Sequence, residues 1–266
     1  SMYDPATVSV PGKIPGEHDQ NPAHFRQTQE ENPDFSDLEE ATPWNHGCAS
    51  HLQDRDELAK DIAVYYGMVS MLDRYIGELL DGLDAAGLAE DTLVVFTSDH
   101  GHYYGHHGLT AKGPFHYEDG IRVPFLARWP GAIPPGSETC ALQSLIDLPA
   151  TFLKAAGAQL PRTVQGVDQL PVWRGQASSA RDHALVECRF QPTKLHLKTL
   201  VEDRYKLTLY ADGDAGELFD LETDPGERQN LWNDPAAREL KFRLIRRMLD
   251  AQMNAEPMPM PRVSVA

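Results

Sequence analysis

Apolar side chains are sparse at the start of the chain and then abruptly periodic. Residues 1 to about 55 are rich in Pro, Asn, Asp, Glu and Gly without an apolar repeat, and read as a long irregular segment that wraps a surface or shapes a cleft. From there Leu58, Ile62, Tyr65, Val69, Leu72, Ile76, Leu79 and Leu83 recur at alternating spacings of four and three, the stripe of an amphipathic helix. Gly87 is placed to stop it, and Tyr65, Tyr66 and Met68 read as core packing against a sheet. Thr92-Leu-Val-Val-Phe-Thr97 is a short β-branched run, expected as a buried parallel strand. It delivers Ser98-Asp99-His100-Gly101 to its carboxyl end, where open α/β sheets place their ligand sites.

A second strand is expected over Val123–Arg128 and a helix over Leu142–Ala156, ended by Gly157. Beyond Arg181 the pattern changes to short strands at 184–186, 198–201, 205–210 and 216–221, an antiparallel sheet closed by a helix from roughly Pro235 to Ala251. The expected class is α/β: a mixed, mostly parallel sheet flanked by helices, with a small antiparallel carboxy-terminal subdomain. The expected parts are an irregular segment at 1–55 packing on the core, an α/β region at 56–178, the subdomain at 179–256 and an extended tail at 257–266.

Charge narrows the partners. Forty acidic against 24 basic side chains give a formal net charge of -16, which repels phosphate backbones and argues against general nucleic-acid binding. No apolar run approaches the roughly 20 residues that span a bilayer, so no membrane partner is expected. Cys48, Cys140 and Cys188 are far apart and form no CxxC pair, which suggests neither a disulfide framework nor a zinc knuckle. The amino terminus shows neither a basic nor an apolar targeting region, so the sequence does not indicate a compartment.

The chemistry concentrates between Asp99 and Glu118, where five of the chain's 11 histidines fall: His100, His102, His106, His107 and His116. A packed core rarely collects that many imidazoles. Asp99 and His100, just past a strand end, can turn a carboxylate oxygen and an imidazole nitrogen toward one cation, with Gly101 allowing close backbone approach. The alternative is a solvated loop histidine beside a capping aspartate. Lys112, in a Gly-rich stretch of an acidic chain, could hold a sulfate or phosphate oxygen and stabilise charge on a leaving oxygen; its bland reading is a surface lysine. Glu118 and Arg122 read as a structural ion pair, and Asp147 as structural.

The segments "LDRYIGELLDGL", "DTLVVFTSDHG", "GHHGL", "AKGPFHYED" and "IRVPFLARWPG" between Tyr65 and Pro130, followed by "GELFDLETDPGERQNL" at 216–231, resemble the sulfatase family of the alkaline phosphatase superfamily, in its carboxy-terminal half. The resemblance implies a partial alkaline-phosphatase-like fold and sulfuric ester hydrolysis assisted by a divalent metal. It implies that Asp99 and His100 are metal ligands, that Lys112 contacts the sulfate and acts in catalysis, and that His107 lies beside the substrate. His102, His106 and His116 are left as candidate cleft residues, with surface loop as their alternative. Family precedent favours calcium, while the imidazole of His100 in place of the usual Asn suits manganese or zinc.

Such enzymes attack with a formylglycine made from Cys or Ser in a Cys/Ser-x-Pro/Ala-x-Arg motif, and no Cys or Ser in this sequence supplies that motif. The expectation is a portion of a sulfatase, inactive alone, with the nucleophile in a missing half. Its partner is a small sulfated substrate, and self-association or association with the missing half follows from sheet edges left open. The competing readings are a phosphonate monoester or phosphodiester hydrolase of the same superfamily, and a noncatalytic binding module.

Overall fold

The computed structural model describes residues 2–34, 36, 50, 54–189 and 194–255. Cys48 and the proline-rich tail lie outside these residues. The described residues of the amino-terminal segment contain a 3-10 turn (Pro5–Thr7) and one short helix, α1 (Ala23–Gln27). Of its described residues, His18, Asn21, His24, Phe25 and Thr28 are buried.

The periodic stripe forms α2 (Arg55–Ala85), capped by Asp54, whose Oδ1 accepts from the amides of Asp56 and Glu57. Gly87, at φ 68°, stops it: Leu88 N–H bonds back to the Leu83 carbonyl, a Schellman-type end that favours glycine. The expected burial of its aromatic residues is not observed. Leu58 and Ile62 are buried, but Tyr65, Tyr66 and Met68 are 40%, 40% and 56% exposed, because among the described residues the core covers only the first turns of this face.

β1 (Val94–Thr97) and β2 (Phe125–Arg128) pair antiparallel, Val94 opposite Arg128 and Thr97 opposite Phe125. The parallel reading of β1 is therefore corrected. The expected full burial is not observed either, as every residue of β1 is only half-buried among the described residues. An apolar run does not report strand direction, and the chain returns through the histidine-rich loop to pair β2 alongside in the opposite sense. The pair packs Val95, Phe125 and Ala127 on α5 (Leu170–Trp173), near α4 (Asp147–Ala155). Asp147, 1% exposed, holds this region together. Its carboxylate accepts from the amides of Ser144 (3.0 Å) and Val167 (2.9 Å), from Gln169 Nε2 (2.8 Å) and from the Arg181 guanidinium. Asp147→Asn keeps the shape, removes the charge and turns one acceptor into a donor. A loss of about 2 kcal/mol in chemical denaturation is expected.

The carboxy-terminal sheet has the order β3 (Ala184–Arg189), β4 (His196–Val201), β5 (Tyr205–Tyr210), β6 (Gly216–Asp220), all antiparallel. Side chains alternate between its faces. Leu200, Leu207 and Leu218 lie side by side and meet Leu244 and Met248 of α6 (Arg238–Ala255). Thr199, Thr208 and Glu217 line up on the opposite face, with Lys206 and Phe219, and are buried as well. That face packs on the histidine-rich loop, where Phe25, Tyr103, Leu109, Phe115, Tyr117 and Phe219 form one cluster. Among the described residues no helix is long and apolar enough to cross a membrane.

Candidate active site

β1 ends at Thr97 and the chain turns sharply through Ser98 to Gly101. Asp99 Oδ1 accepts from the His100 amide at 3.0 Å, which holds its carboxyl below the usual aspartate range and fixes the turn. Gly101 is required by contact: a Cβ there would stand 1.8 Å from the Asp119 carbonyl oxygen, and its amide donates to the Gly120 carbonyl at 2.9 Å. His100 is thus seated against α3 (Glu118–Ile121).

The His100 ring is oriented for ligation. Nδ1 lies 2.8 Å from the Gly101 carbonyl oxygen, which can only accept, so Nδ1 carries the proton and Nε2 presents its lone pair. Asp99 Oδ2 is 3.4 Å from that Nε2, and Lys112 Nζ is 2.7 Å from it. Three residues selected from the sequence therefore converge on one point, and all are open to solvent. The imidazole lone pair that takes the Lys112 ammonium, with an Asp99 oxygen also close to it, marks a position that favours positive charge. Asp99 and His100 fit as two donors of a cation's shell; among the described residues no group of three or more His, Cys, Asp or Glu could hold a metal.

The other histidines separate into different roles. His107, at φ 56° and 3% exposed, lies face to face with Tyr117, centroids 3.6 Å apart and planes within 4°. Its Nδ1 meets Glu17 at 2.6 Å and its Nε2 meets Asp119 at 3.3 Å. Arg228 also bonds Glu17, and His18 Nε2 is 2.8 Å from the His107 carbonyl oxygen. His107 thus sits beneath the loop that carries Lys112. His116 is buried, 2.7 Å from Thr199 Oγ1, and burial pushes it down to about 3, so it belongs to the core rather than a cleft. His106 is exposed and paired with Asp119 at 3.2 Å. His102 faces an open groove beside α2.

Burial pulls the His107 imidazolium down, but its bonds to Asp119 and Glu17 outweigh this and raise its pKa above 6.5. A raised folded-state value contributes stability in full below 6.5 that is lost as pH climbs through the folded value. Glu17 and Asp119 resist deprotonation through burial, yet their partners hold both below their usual values, so their contribution disappears on acidification. In thermal melts across pH, the wild type should therefore lose stability relative to His107→Gln as pH rises past 6.5. Parallel curves would show that the pair contributes no linkage.

Glu118 and Arg122 are only 4.0 Å apart, whereas Glu118 lies 3.4 Å from the buried Lys206 ammonium and takes a Glu227 oxygen on its amide at 2.6 Å. Sequence reading missed Lys206, Glu227 and Glu17. Lys206 lies on the face of β5 shared with Thr208, which reads as polar in the sequence, and Glu17 and Glu227 lie outside the strands, where no periodicity marks them.

A strand end in a mixed α/β framework thus carries an aspartate and an imidazole beside a lysine, all within reach of solvent. The phosphonate monoester hydrolase from Silicibacter pomeroyi superposes on all of this chain and 54% of its own, with a TM-score of 0.81 at 26% identity. The fold is thus alkaline-phosphatase-like. The sulfatase family model matches residues 14–158, and the model for the carboxy-terminal region of N-sulphoglucosamine sulphohydrolase matches 105–254. The chain belongs to the sulfatase family. It is 32% identical over 175 residues to an N-acetylglucosamine-6-O-sulfatase of Bacteroides thetaiotaomicron, covering 63% of this chain and 31% of that protein. It is 34% identical over 179 residues to arylsulfatase K of Xenopus laevis, covering 64% of this chain and 33% of that one. The aligned part is thus about a third of the length of these relatives.

Proposed function

We propose that these residues form the metal- and sulfate-binding side of a sulfuric ester hydrolase. The observation that carries the reading is the convergence of Asp99, His100 and Lys112 within 3.4 Å at the end of β1. Lys112 binds a sulfate oxygen and stabilises the charge that develops on the leaving oxygen, and His100 is held in the ligating tautomer by the Gly101 carbonyl. Asp99 and His100 are ligands of a divalent cation, which when bound polarises the ester. Calcium has the family's precedent, and the imidazole leaves manganese or zinc as alternatives. His107 acts on the substrate through the loop it supports, since both ring nitrogens are engaged. The formylglycine nucleophile belongs to the rest of the parent enzyme, as no segment of this sequence carries its motif. Alone, the chain is expected to bind anion without turnover, which is also what a noncatalytic module would do.

The phosphonate monoester reading is kept because of the 0.81 superposition. Comparing kcat/KM for an aryl sulfate and an aryl phosphonate monoester in the parent enzyme separates the two. Preference for the sulfate supports the proposal, and preference for the phosphonate replaces it with the second reading.

A further inference from the structure

Beside the Lys112 loop, a cleft of about 540 Å³ runs between the first turns of α2 and the segment 102–111. Its rings are contiguous: His102 stacks on Tyr104 at 3.9 Å between centroids, and Tyr104 meets Tyr65 at 4.8 Å. Among the described residues its fixed charges have one sign, since Asp54, Glu57 and Asp61 line it and no Lys or Arg does. Acidic residues at a helix start are commonly explained by the helix itself. Asp54 is the cap, and Glu57 is paired with Lys60 at 2.6 Å. Asp61 lies nearly two turns inside α2, and among the described residues it has no cationic side chain of Lys or Arg as partner; its charge is felt by His102 and Tyr104. An uncommitted carboxylate facing aromatic rings is the chemistry that recognises an ammonium group, through the ring quadrupole and the opposite charge.

We infer that this cleft receives the alcohol half of the ester and selects an alcohol bearing an ammonium group, disfavouring one with a second anion. The word ester rests on the function proposed above, whereas the binding of an ammonium alcohol does not. A quaternary amino alcohol and a free amino sugar share that chemistry, so both are probes.

The test is calorimetric titration of the full chain with choline, glucosamine and glucose, and separately with inorganic sulfate. Choline and glucosamine should bind with glucose at least about tenfold weaker, Asp61→Asn should weaken both cations about tenfold, and Tyr65→Ala several-fold. Both substitutions lie on an exposed helix face, so the fold is not at risk. Binding of choline alone or glucosamine alone, with the same loss in Asp61→Asn, supports the inference and names the source of the ammonium. Equal binding of glucose, absence of cation binding, or indifference to Asp61→Asn overturns it. Sulfate binding that survives Lys112→Ala would instead overturn the proposed function and leave the cation result standing.

Discussion

Lys112→Ala in the parent enzyme should lower kcat for an aryl sulfate by about 10² to 10³-fold, the usual effect of removing one preorganised charge from a developing anion. The argument is geometric. Lys112 is exposed, and it stands 2.7 Å from His100 Nε2 at the strand end, so its removal leaves the packing beneath the loop untouched. KM should change less than kcat if the ammonium acts mainly on the leaving oxygen. A loss confined to KM would mean that Lys112 binds substrate and transition state equally. Circular dichroism and melting temperature should match the wild type, which separates this substitution from a folding defect.

Lys206→Met should cost about 3 to 5 kcal/mol in chemical denaturation, the penalty for leaving buried charge without its partner. Lys206 is fully buried with its ammonium on Glu227 and 3.4 Å from Glu118, and Glu227 is itself 2% exposed. Burial raises the Glu227 carboxyl and Lys206 opposes that rise, so methionine would leave Glu227 to take a proton or draw in water. The double replacement Lys206→Met with Glu227→Gln should recover much of the loss, because the uncompensated charge is gone. No recovery would show that packing, not charge, sets the penalty.

The sequence carries the site and the sheet unequally. Asp99, His100 and Lys112 are close in sequence and lie between glycines at a strand end, so local reasoning reaches them. The four strands of the carboxy-terminal sheet show alternation on one face, Leu200, Leu207 and Leu218, which is what a period of two exposes. The other face carries Thr, Glu and Lys and so reads as solvent. Its burial depends on contact with a loop some 80 to 100 residues away, as between His116 and Thr199 or Lys206 and Glu118. The direction of β1 is illegible for the same reason, since only the tertiary partner fixes the sense of pairing.

The clamp under His107 joins the two ends of the described chain: Glu17 and Arg228, 211 residues apart, meet on one imidazole. Ribosomal synthesis releases Glu17 and His107 long before Arg228 exists, so the histidine-rich loop can be drafted early but is fastened only when the carboxy-terminal sheet arrives. Contacts this distant in sequence are formed late and slowly. Maturation of the site therefore waits on completion of the carboxy-terminal sheet, and a chain stalled before β6 would present the loop residues without the clamp that shapes them.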